Sequence, residues 1–133
     1  MVRALASEGG ECGVLSFDGW RPKARDSEPS APVREEQYQG YSVLRVTTPS
    51  QLEQGSRFAE SVKPNLIHIH HSMLWDFGEE LGTLLGVPVV QTVHVLQAEQ
   101  NRIRGIEDRT LSLESQERSL RAADLIFAPS ESV

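Results

Sequence analysis

Pro64-Asn65-Leu66-Ile67-His68-Ile69-His70-His71, followed by Leu85-Gly86-Val87-Pro88-Val89-Val90-Gln91-Thr92-Val93-His94, is the stretch whose reading decides the fold. Each half is a short apolar run, bounded by proline or glycine, that ends in histidine. Runs of this length and composition read as buried strands. Between them Leu74, Phe77, Gly78, Leu81 and Leu85 recur at three-and-four spacing, so Met73 to Leu85 is expected to be an amphipathic helix stopped by Gly86. Strand, helix and strand in this order predict a parallel pair. Both histidine-bearing ends then lie at the carboxyl edge of an open α/β sheet, where such sheets bind ligands.

The flanking sequence extends the pattern. Val2 to Glu8 before Gly9-Gly10 reads as the last turns of a helix, Gly13 to Phe17 as a strand, and Tyr41 to Val46 as another. From Asp18 to Gln39 apolar residues thin out around Pro22, Pro29 and Pro32, and a mobile surface loop is expected. Ser50-Gln51-Leu52-Glu53 has capping-box spacing and opens a helix that Pro64 ends. Val95 to Glu107 reads as a polar loop, Asp108 or Thr110 as the start of a helix to about Ala123, Leu125 to Ala128 as a last strand, and Ser130 as a further N-cap. In the helix before that strand, Leu113, Glu117, Leu120 and Asp124 define the expected inward face, with Glu117 free to pair with Arg121 and Glu114 with Arg118. The predicted class is α/β, a Rossmann-like, mostly parallel open sheet with helices on both faces.

Composition narrows the functional classes. The 133 residues are 38% hydrophobic and 24% charged, with net charge −6, which argues against a general nucleic-acid binder. Arginines 102, 104, 109, 118 and 121 concentrate positive charge late in the chain and admit a localised anion site. Cys12 is the only cysteine, so no internal disulfide or thiolate cluster forms. With no membrane-length apolar run and no secretory leader pattern, a cytoplasmic protein is expected.

Side-chain alternation puts His68 and His70 on one face of their strand and His71 on the other. His68, inside the strand, is expected to be a hydrogen-bonded structural residue beneath the site. His70, His71 and His94, at strand ends, suit recognition of hydroxyls or phosphates as well as proton transfer. The His-x-His spacing also fits a zinc pair, but the nearest carboxylates, Asp76, Glu79 and Glu80, fall on the following helix and no hydrolytic metal motif is present. No catalytic metal is expected.

These two histidine segments, together with Glu117-Arg118-Ser119-Leu120-Arg121-Ala122-Ala123-Asp124-Leu125-Ile126-Phe127-Ala128-Pro129-Ser130-Glu131-Ser132, resemble the amino-terminal domain of family 4 glycosyltransferases, retaining enzymes of the GT-B fold. Ala4-Leu5-Ala6-Ser7-Glu8-Gly9-Gly10 fits the end of that family's first helix, although a histidine usual near Gly10 or Glu11 is missing. The resemblance implies sugar transfer with retention from a nucleoside-diphosphate sugar, a co-substrate rather than a bound cofactor, to a small-molecule, glycan or lipid-linked acceptor. It implies that His94 is the catalytic cleft residue, that His70, His71 and Thr92 shape the acceptor side, and that Asn101 and Arg102 belong to the acceptor loop. An arginine there suits a phosphorylated or acidic acceptor, and the parent enzyme is compatible with peripheral membrane association. It further implies a first strand before Met1 and a donor-binding domain after Val133, so that residues 1–133 alone are expected to be an inactive fragment. The competing readings are a GT-B-like sugar-nucleotide epimerase and a non-catalytic Rossmann-like interaction module.

Overall fold

The computed structural model describes residues 2–17, 33–47, 51–107 and 110–128. The chain divides into two compact units, Met1–Pro64 and Asn65–Val133. Both are α/β, and together they carry two three-stranded sheets.

In the first unit, α1 (Val2–Ser7) precedes strands β1 (Cys12–Phe17), β2 (Arg34–Tyr38) and β3 (Tyr41–Val46) and helix α2 (Leu52–Val62). Gly9, at φ 84°, turns the chain out of α1 while the Gly10 N–H returns to the Leu5 carbonyl. The strand order is β1-β3-β2, with β1 parallel and β2 antiparallel to β3. Val43, Leu44 and Val46 of β3 are buried, as expected of the middle strand. Strand β2 corrects the reading of 18–39 as a loop throughout, since its last residues pair with β3 across a tight turn at Gly40. Charges on β2 hid it from the apolar pattern, yet they are satisfied: Arg45 of β3 donates to Glu36 at 3.1 Å and the Tyr38 hydroxyl donates to the same carboxylate at 2.7 Å. Residues 18–32 lie outside the described residues, as does Ser50, so the capping box is not described. The first residue outside α2, Gln51, instead accepts from the Thr47 N–H at 2.6 Å.

In the second unit, β4 (Ile67–Ile69) leads through a 3₁₀ turn (Ser72–Leu74) into α3 (Trp75–Leu85), then β5 (Val89–Thr92), α4 (Gln97–Ile103), α5 (Leu111–Ala122) and β6 (Leu125–Phe127). All three strands are parallel, in the order β4-β5-β6. Ile69, Trp75 and Val89 form the buried cluster that joins α3 to the sheet, with Ile67, Leu74 and Ala123 packed around it. That close seating depends on two glycines, because a methyl group at Gly78 would collide with the Ile69 side chain and one at Gly82 with Val89. Gly86, at φ 65°, ends α3 as predicted. Asp124 fixes the start of β5 by a double contact, its carboxylate accepting from Val89 N–H and its own N–H donating to the Val89 carbonyl, at 2.8 and 2.9 Å.

Two expectations in this unit are corrected. The segment after β5 contains helix α4 where a polar loop was expected; its residues lack an apolar stripe, and Ile103 is 72% exposed. Helix α5 starts after Thr110, whose hydroxyl caps the Leu113 N–H, but its buried face is Ser115, Gln116 and Ser119, while Leu120 is exposed. The serine and glutamine stripe is therefore the most buried part of α5, with Leu113 and Glu117 of the expected face half-buried beside it. Arg118 of α5 forms a two-pronged ion pair with Asp76 of α3, at 2.9 and 3.1 Å. Ser130 is outside the described residues.

Candidate functional site

The parallel register sets Ile67, His68 and Ile69 beside Val89, Val90 and Gln91, and sets Thr92 beside Phe127. Alternation sends Ile69 and Val89 into the packed side under α3 and turns His68, Thr92 and their neighbours to the opposite side. There, His68 Nε2 and Thr92 Oγ1 share a hydrogen bond of 2.7 Å between adjacent strands. The His68 ring lies 4.2 Å from the His70 ring, centroid to centroid, and 5.5 Å from Phe127. His70 in turn faces His94 at 6.0 Å, with the rings inclined by only 23°. Three imidazoles thus form a row along the carboxyl ends of β4 and β5, the inner one half-buried and the outer two exposed.

Electrostatics follow from this geometry. Burial, then the neighbouring His70 and His94 imidazoles, lower the His68 pKa below the ordinary histidine value. Burial and the approach of His94 lower that of His70. Both rings are therefore neutral at pH 7, each offering one N–H donor and one bare nitrogen acceptor. Among the described residues, no group of three or more histidine, cysteine, aspartate or glutamate side chains is arranged to hold a metal ion.

The other expected site residues have different surroundings. His71 caps the 3₁₀ turn, its Nδ1 accepting from the Met73 N–H at 3.2 Å, which leaves Nε2 on the exposed side. Asn101 is buried, accepting from Gln97 Nε2 at 2.8 Å and donating to Thr110 Oγ1 at 3.3 Å. Arg102 is exposed and paired with Glu99, its Nε lying 2.8 Å from the carboxylate. Asn101 and Arg102 line a shallow hollow of about 390 Å³ with Ala98, Gly105, Ile106 and Leu113, and none of the histidines borders it. His68, His70, Thr92 and His94 are brought together; Asn101 and Arg102 belong to the α4 region.

Gln116 escaped the sequence reading, although a signal for it exists. Ser112, Ser115, Gln116 and Ser119 recur at helical spacing, a polar stripe beside the leucines. Gln116 is buried, and both ends of its amide bond to the backbone that follows His94.

A parallel α/β unit that collects imidazoles at the tips of adjacent strands is of the open-sheet class, whose ligands bind at this edge. The glycosyl transferase 4-like domain family matches residues 1–133, the whole chain, and the protein belongs to that family. Comparison with curated proteins finds no match. No helix among the described residues is long and apolar enough to cross a membrane.

Proposed function

We propose that this glycosyl transferase 4-like domain supplies the acceptor side of a retaining glycosyltransferase that uses a nucleoside-diphosphate sugar. The observation that carries the reading is the facing pair of exposed rings, His70 and His94, 6.0 Å apart at the ends of two neighbouring parallel strands. Rings at that separation can contact one small polar group from two sides. Glycosyl transfer proceeds through a transition state with oxocarbenium character, in which hydrogen bonds to sugar hydroxyls strengthen and the departing phosphate gains charge. His94 is the group assigned to the transferring sugar. His70 and the free Nε2 of His71 orient the acceptor hydroxyl, while Thr92 acts one step back by holding His68.

No cofactor is assigned beyond the donor co-substrate, and no metal is assigned to the histidines. Arg102, on the exposed surface of α4, is the group assigned to an acidic or phosphorylated acceptor. A single cysteine and the use of a nucleotide sugar suit a cytoplasmic enzyme. In the enzyme that contains this domain, His94→Ala is expected to lower sugar transfer by 10² to 10³, about 2.7–4 kcal/mol of lost transition-state stabilisation, with the fold intact. Unchanged transfer by the folded variant refutes the assignment.

A further inference from the structure

Strand β5 ends at Thr92 and α4 begins at Gln97, so His94 rides on a connection of a few residues. One end of that connection is anchored by the sheet, since Val93 N–H donates to the Phe127 carbonyl at 2.9 Å. Beyond His94 apolar anchoring is weak, with Val95 51% and Leu96 38% exposed. What holds this side is Gln116 of α5. Its Oε1 accepts from the Gln97 N–H at 2.6 Å and its Nε2 donates to the Val95 carbonyl at 2.8 Å. A primary amide presents a donor and an acceptor side by side, as an adjoining strand would.

We infer that Gln116 is a positioning residue for His94, fixing the imidazole at the site through the backbone of Val95 and Gln97; this rests on the proposed role of His94. The buried side chain closes a two-point clamp on the only part of the connection that the sheet does not hold. The far end of α4 is tied to the same helix, through Asn101 and the α5 cap Thr110, so α4 is strapped to α5 at both ends by amide and hydroxyl groups. Gln116 touches neither sugar nor acceptor in this scheme. It sets where His94 stands.

The test compares Gln116→Leu, which preserves volume and removes both bonds, with the unaltered protein. In NMR spectra, the cross-peak between the His70 and His94 rings is expected to weaken and amide exchange at Gln97 to rise about tenfold, while resonances of β5 and β6 stay in place. In the transfer assay kcat is expected to fall by tenfold or more with KM nearly unchanged, since a misplacement of about 1 Å can cost on the order of 10²-fold. Should the leucine variant fail to fold, Gln97→Pro removes the first of the two bonds from the other partner, with Gln97→Ala as the control for the side-chain contacts of Gln97 to Gln100 and Asn101 that the proline also loses. Proline is tolerated at a first helical position, and Leu96 already has the extended backbone, φ −73° and ψ 113°, that must precede it. A folded variant in which the ring cross-peak is unaltered, with Gln97 exchange also unaltered in the case of Gln116→Leu, overturns the proposal, as does a mobile His94 with normal transfer. Normal transfer by His94→Ala overturns instead the reading on which the proposal rests.

Discussion

Thr92→Val removes one hydroxyl and almost no volume, so its effect isolates the bridge between β4 and β5. The bond lost is the 2.7 Å contact to His68 Nε2. A neutral side-chain hydrogen bond contributes about 0.5–1.5 kcal/mol net, and stranding a fully buried partner would add to that. His68 is only half-buried, so water can reach its freed nitrogen, and the expected loss is about 1 kcal/mol. For a chain of this length that corresponds to a fall in Tm of about 4 °C. A double-mutant cycle with His68→Leu gives the cleaner number, since the coupling energy excludes what each residue does elsewhere. Thermal unfolding of the four proteins, with His68 side-chain nitrogen spectra as a local reporter, is the assay. A coupling energy near zero, or His68 signals that do not respond to Thr92→Val, refutes the view that this pair braces the histidine row from beneath.

Gly78→Ala is expected to destabilise by about 1–3 kcal/mol in denaturant unfolding, because its methyl must displace the Ile69 side chain under α3; a neutral or stabilising effect would show slack in that contact. Asp124→Ala is expected to cost about 1–3 kcal/mol by leaving the Val89 N–H without its acceptor, and Asp124→Asn, which keeps an oxygen there, less. The lowered His68 and His70 pKa values mean that the unfolded chain takes up protons first as pH falls. Stability from these groups is therefore complete above the ordinary histidine value of about 6.5 and is lost as pH drops below it towards their folded values. Urea midpoints measured from pH 8 to pH 5 check this, and His68→Gln with His70→Gln should flatten the curve; a slope unaltered by the double substitution argues against it.

The parallel strands and the histidines at their tips were legible because both depend on short-range pattern. Apolar runs of four or five residues, punctuated by Pro64, Gly86 and Pro88, leave few options besides buried strands, and strand alternation alone placed His68 and His70 together. What escaped depends on polar partners distant in sequence. Strand β2 is charged and exists by pairing with β3, and α4 has no apolar stripe and is held by amide contacts from Gln116 and from Asn101 to Thr110. The face of α5 was misjudged for the same reason: leucines suggested the buried side, and a serine and glutamine stripe occupies it. At the site, pattern reached the row of imidazoles but not what secures it. His71 and Asn101, attractive as polar loop residues, spend hydrogen bonds on a turn cap and a helix tie.

The order β4-β5-β6 places the two exposed imidazoles on strands of unequal support. His94 extends from β5, which is bonded along both edges, while His70 extends from β4, which in this sheet is bonded along one edge and runs for only three residues. A strand paired on one side yields to a given force more readily than one paired on both. Under the proposed assignment the two rings would then act as a fixed jaw and a compliant one, with accommodation of molecules of different size falling on the His70 side and His94 serving as the reference from which the opening is measured.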